Sequence, residues 1–74
     1  MEARTLIERK RDGGRIDAAE WRSLMKHYAA GEVPDYQMAA LAMAIYFVGL
    51  DRTEIGALTD AMLESGAMLQ LDHL

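Results

Sequence analysis

A chain of 74 residues with no cysteine and a formal net charge of −4 is bounded before any pattern is read. At this length it is one small domain that buries only about 60% of its unfolded surface, and disulfides, thiolate catalysis and Cys-ligated zinc are excluded. The acidic balance, with a pI of about 4.9, argues against nucleic-acid partners, whose phosphates are themselves anionic.

The opening residues are charged and hold no apolar stretch of signal-peptide length. A first helix is predicted from Ala3 to Arg11, with Leu6 and Ile7 as its apolar edge. Basic residues cluster here, at Arg4, Arg9, Lys10, Arg11 and Arg15, but Glu2, Glu8 and Asp12 are interleaved with them. Their fields largely cancel, and the cluster reads as a solvated helix face. Gly13-Gly14 stops the helix by offering left-handed backbone.

Asp17 opens a second helix, with Glu20 three positions on as its capping-box partner. Trp21, Leu24, Met25 and Tyr28 follow at i, i+3, i+4 and i+7, one face of a 3.6-residue period, and Gly31 closes it. The third helix starts at Pro34, a residue favoured in a first turn because it has no amide hydrogen to lose. Met38 to Val48 is then uninterrupted apolar sequence, far short of the ~20 residues that span a bilayer. Ala39, Ala40, Ala42 and Ala44 permit close helix approach, and Leu41, Met43, Ile45 and Phe47 supply volume. This is the expected central helix, ended by Gly49.

Asp51 with Glu54 repeats the capping logic for a fourth helix, whose predicted buried stripe is Ile55, Leu58, Met62 and Leu63, with Gly66 as terminator. The reading is therefore an all-α, compact four-helix bundle over residues 1–66. The tail, residues 67–74, alternates apolar and polar positions and is expected to leave the bundle as an extended segment. A helix apolar all round needs cover on every side, and three short neighbours provide too little. Further chain, or a second copy, is implied.

Candidate reactive residues are few. His27 lies beside the second helix's buried stripe and reads as structural; His73, at the chain end, is poorly placed for a preorganised site. Neither sits at metal-ligand spacing from another histidine, so no metal site is assigned. Ser23 lies within a helix and Ser65 precedes a helix-ending glycine, neither with a histidine to activate it. Asp17/Glu20 and Asp51/Glu54 are accounted for by capping, and no phosphate-cradling or dinucleotide fingerprint occurs. Met25, Met38, Met43 and Met62 are expected on buried faces as gap-fillers. Tyr28, Tyr36 and Tyr46 are expected to pack with a wet tip. The residues alone describe a helical packing module without a catalytic constellation.

The order of the segments adds a resemblance. Leu6-Ile7-Glu8-Arg9-Lys10-Arg11-Asp12-Gly13 resembles the opening helix and turn of pyrimidine-nucleoside (thymidine) phosphorylases. The stretch from Pro34-Asp35-Tyr36-Gln37 through Ile45-Tyr46-Phe47 looks like that family's most recognisable helix. Leu58-Thr59-Asp60-Ala61-Met62 with Ser65-Gly66 is similar to its next signature. Each match is weak alone; in family order and spacing, over nearly the whole chain, they are strong together.

The resemblance implies the amino-terminal helical domain of a two-domain enzyme in which a helical domain faces a larger α/β domain across the substrate cleft, and with no targeting segment visible a cytoplasmic location is expected. The implied reaction cleaves a pyrimidine nucleoside with inorganic phosphate, giving free base and pentose 1-phosphate, with no metal or organic cofactor. It also implies a homodimer through the helical domain. The family's Lys-His-Ser-Thr-Gly-Gly phosphate loop and its base-binding Arg, Ser and Lys match nothing here. No catalytic, cofactor-binding or metal residue is therefore assigned, and the 74-residue chain alone is expected to be inactive. Two alternatives stand beside this: the amino-terminal domain of anthranilate phosphoribosyltransferase, which usually lacks the Pro-Asp-Tyr-Gln opening and Ile-Tyr-Phe ending, and a stand-alone helical dimerisation module. A small DNA-binding bundle would need a basic recognition helix that is not present.

Overall fold

The computed structural model describes residues 3–69. Its helices are α1 (Ala3–Arg11), α2 (Ala18–Ala29), α3 (Asp35–Val48) and α4 (Arg52–Ser65), with no strand among the described residues. This is the predicted all-α four-helix architecture.

Both predicted capping boxes form. The Asp17 carboxylate accepts the Glu20 N–H at 2.9 Å while Glu20 accepts the Asp17 N–H at 3.2 Å. Asp51 accepts the Glu54 N–H at 2.7 Å, and Glu54 accepts the Asp51 N–H at 3.2 Å. Each box satisfies two amides that a first turn leaves without intrahelical partners. At the other end of α4, Gly66 is left-handed (φ 78°, ψ −1°) and its N–H returns to the Met62 carbonyl. Gly14 serves differently: a Cβ there would lie 2.6 Å from Arg9 Cγ and 2.8 Å from the Arg9 carbonyl oxygen. The turn after α1 closes that tightly only around a hydrogen. Pro34 stands one position earlier than expected, at the N-cap of α3, where its carbonyl accepts from the Gln37 and Met38 amides.

The backbones run close together within two pairs, α1 with α3 and α2 with α4. One core joins the pairs, centred on the fully buried Ile16, Trp21, Leu24, Met25 and Leu41. The periodicity of α2 is borne out, with Tyr28 half-buried at the edge. The indole N–H of Trp21 finds no acceptor among the described residues, so this ring contributes as hydrocarbon.

Three expectations about burial need correction. First, α4 does not bury Ile55 and Leu63, which are 53% and 78% exposed. Its inward positions are Glu54, Leu58 and Ala61, with Ala57 and Met62 half-buried against the core. Hydrophobicity ranks Ile55 above Glu54 for the interior; a partner for the Glu54 charge, described below, reverses that ranking. Second, Met43 is exposed rather than buried, whereas Met25 and Met38 are core. Third, Tyr36 and Tyr46 are 71% and 59% exposed rather than packed with only a wet tip, while α3 is, as expected, under-covered. It buries Met38, Leu41, Ala42, Ala44 and Ile45 and turns Tyr36, Met43, Tyr46, Phe47 and Val48 to solvent. The shortage of cover inferred from the sequence is present as an exposed apolar face.

The described part of the tail stays on the bundle. Residues 67–69 are non-helical, but Leu69 is buried in the core and Ala67 packs against it. His73 and the remaining tail positions, 70–74, lie outside the described residues.

Candidate interaction face

The residues that could carry chemistry are held apart or are occupied by structural bonds. His27 hydrogen-bonds Glu32 across the turn after α2. Ser65 Oγ donates to the Met62 carbonyl at 3.4 Å and accepts the Ala67 N–H at 3.1 Å, so it finishes a helix. Ser23 is half-buried within α2. Tyr28 donates to Asp35 Oδ1 at 3.2 Å; partial burial and that carboxylate both push its phenol above the usual value. Arg9 pairs with Glu20, holding the Glu20 carboxyl below its ordinary range and the guanidinium above its own. No group of three or more His, Asp or Glu side chains is placed to hold a metal among the described residues.

A cleft of about 450 Å³ lies between α2 and α4, lined by Arg22, Lys26, Ala29, Ala61, Glu64 and Ser65. Arg22 and Glu64 pair there at 3.6 Å with both side chains well exposed. It holds cations, a carboxylate and a helix-ending hydroxyl, but no activated nucleophile.

The most distinctive surface is the outer face of α3. Tyr36, Ala40, Met43 and Phe47 recur at intervals of four, three and four residues, the spacing that keeps one stripe aimed at a partner helix. All four are exposed, Tyr36 at 71% and Phe47 at 76%. Tyr46 braces the Phe47 ring edge-on, with centroids 5.3 Å apart and planes at 81°. Beside the stripe, Ile7 and Arg11 of α1 complete an apolar groove of about 340 Å³ with Ala40, Met43, Ala44, Phe47 and Val48. An exposed helical face this apolar is the chain's candidate interaction surface.

Beside the turn after α1 and the connection into α4 is a feature the sequence reading missed. Lys10, assigned to a solvated face, is 3% exposed and donates to Glu54 Oε1 at 2.7 Å; Glu54 is 2% exposed. The other carboxylate oxygen, Oε2, accepts the Ile16 N–H at 2.9 Å. Burial alone would raise the Glu54 pKa. The Ile16 amide, the Lys10 ammonium and the Asp51 amide together outweigh it, so the carboxyl is held below its ordinary value. The signal was in the spacing: Ala3, Leu6, Ile7 and Lys10 fall at i, i+3, i+4 and i+7, so the fourth member of an inward stripe is a lysine.

Comparison with known proteins follows the same lines. The helical bundle domain model of the glycosyl transferase family matches residues 4–66. The chain is 45% identical over 69 residues to a pyrimidine-nucleoside phosphorylase of Geobacillus stearothermophilus, covering 93% of this chain and 16% of that protein. It is 49% identical over 74 residues to a thymidine phosphorylase of Mycobacterium tuberculosis, covering 100% of this chain and 17% of that protein. A pyrimidine-nucleoside phosphorylase of Staphylococcus aureus is 44% identical over 69 residues, with 93% and 16% covered. The chain thus spans 16–17% of the length of these curated relatives.

Proposed function

This chain belongs to the glycosyl transferase family as its helical bundle domain, and from that membership we propose that it is the helical domain of a pyrimidine-nucleoside phosphorylase. The intact enzyme would cleave thymidine or uridine with inorganic phosphate as co-substrate, releasing free base and pentose 1-phosphate, in the cytoplasm and without a metal or organic cofactor. The phosphate- and base-binding groups would come from an α/β domain and later helices of the same polypeptide. The bundle would form one wall of the cleft, move against that domain as it closes and carry a homodimer contact through α1 and α3.

The observation that carries the contact role is the outward stripe of Tyr36, Ala40, Met43 and Phe47. Burying a side chain the size of Tyr, Met or Phe contributes about 1.5–3 kcal/mol. A two-fold contact uses each side chain twice, and with Tyr36, Met43 and Phe47 at 71%, 45% and 76% exposed their burial supplies roughly 6–12 kcal/mol by the same measure. Association costs about 4–15 kcal/mol in lost freedom and ordering. Burial of the stripe is thus of the same size as the cost of association, so a dimer needs most of it covered.

The test is phosphate-dependent release of thymine or uracil. Turnover is expected from the polypeptide in which this chain is followed by a glycine-rich phosphate loop, and none from residues 1–74 alone. Turnover by the isolated 74 residues would overturn the assignment of chemistry to other parts, and an inactive longer polypeptide would overturn the assigned reaction.

A further inference from the structure

The close helix pairs, α1 with α3 and α2 with α4, are bridged by a buried charge rather than by hydrocarbon alone. Lys10 lies in the last turn of α1 and Glu54 in the first turn of α4. The same carboxylate takes the Ile16 amide, next to the Asp17 cap of α2, and the amide of its own cap, Asp51. Asp51 in turn pairs with Arg15 at 3.2 Å. One side chain thus touches the end of α1, the connection into α2 and the start of α4. The turn beside it is tied down as well, with the Gly13 and Gly14 amides donating to the Lys10 and Arg9 carbonyls, and a cavity of about 310 Å³ lies against Lys10, the turn and Glu54.

Charge inside a core contributes little net stability compared with a well-packed apolar pair, but it is intolerant of misalignment because a displaced partner leaves a buried ion exposed to no solvent. Apolar contacts between the pairs are non-directional, whereas this bond needs its donors and acceptor in line. We propose that the Glu54 carboxylate is a conformational latch that fixes the α1–α3 pair against the α2–α4 pair, and that opening it loosens the packing between pairs while the helices persist. The inference is independent of the reaction assigned above.

The groups facing Glu54 are Lys10 from α1, the Ile16 amide from the connection, and Asp51, with Arg15 beyond it, from its own cap. Acid opens the latch by neutralising the carboxylate. Three signals then separate the proposal from ordinary acid unfolding: the Ile16 amide resonance, the near-ultraviolet circular dichroism of Trp21 and far-ultraviolet helicity. In the unmodified chain, the Ile16 and Trp21 signals are expected to change together as pH falls, with helicity retained. Glu54→Gln should abolish the Ile16 acid shift. The paired change Lys10→Met with Glu54→Leu should keep far-ultraviolet helicity yet lose the Trp21 signal, the amide dispersion and a cooperative melt. A paired variant that keeps the original Trp21 signal overturns the proposal, as does an acid titration in which all three signals vanish in one step. If the paired variant fails to fold, the titration of the unmodified chain decides alone.

Discussion

Helices α2 and α3 are of similar length and both rich in apolar residues, yet they answer differently when asked which side is inside. In α2 the large apolar residues are confined to one stripe, and that stripe is the one buried: Trp21, Leu24 and Met25 are fully enclosed. In α3 nearly every position is apolar, and only half of the circumference is covered. A 3.6-residue period encodes a helix with one partner surface. Loss of that period encodes a helix with two, and the four helices of this chain supply only one of them. The difference teaches that a missing period can be read as a missing neighbour.

Trp21→Ala is the harshest way to probe the covered side. Removing a fully buried aromatic costs about 3–5 kcal/mol, comparable to the whole stability expected of a domain this small. Loss of a cooperative thermal transition by circular dichroism is expected. A variant that still melts cooperatively near the original temperature would mean that α2 does not anchor the core.

Acid comes next in size. The Glu54 carboxyl is held below its ordinary value by the Ile16 amide, Lys10 and the Asp51 amide, against the cost of burial. A depressed folded-state pKa contributes stability that is fully present above the unfolded value, about 4.3 for glutamate. That contribution is lost as pH falls through the folded value. Urea midpoints should therefore be flat on this account from neutrality down to about pH 5 and decline below it. Glu54→Gln should flatten the decline. An undiminished acid slope in that variant would assign it to other carboxylates, such as Glu20, whose pKa is lowered mainly by Arg9.

Smaller again is the removal of a cap. Asp17→Ala leaves the Glu20 amide without its acceptor and should cost about 1 kcal/mol. Asp51→Ala should cost more than Asp17→Ala, because the Asp51 carboxylate also pairs with Arg15 at 3.2 Å and caps the turn that carries the buried Glu54. Equal costs in paired urea titrations would reduce Asp51 to an ordinary cap.

The sequence was most legible where one rule acted alone. Caps at Asp17 and Asp51, the stops at Gly13 and Gly66 and the stripe of α2 all follow from local chemistry, and all are found. Legibility failed where two residues far apart in the chain settle each other's environment. Nothing local to Glu54 says that a lysine 44 positions away will neutralise it, so Ile55 took its place in the expected core. The exposure of Met43 was hidden for the complementary reason, because an all-apolar helix contains no contrast from which to choose an inward side. The family, by contrast, was legible from segment order, which requires no knowledge of which side chains are buried.

The mildest change in monomer stability should come from the uncovered side of α3, and it carries the sharpest test of the comparison. Phe47 is 76% exposed and Met43 45%, so replacing either with a charged residue removes few contacts within one copy. Surface changes of this kind usually stay within about 0.5 kcal/mol. If the stripe pairs with a second copy, a charge at its centre must instead be desolvated against the partner's identical charge, and association fails. Met43→Glu should therefore leave the melting transition of a dilute sample nearly unchanged while shifting sedimentation equilibrium from dimer to monomer. Trp21→Ala should do the reverse, destroying the fold before association can be measured. A Met43→Glu chain that sediments like the original would mean that the apolar half of α3 is meant for another part of a longer polypeptide rather than for its own copy.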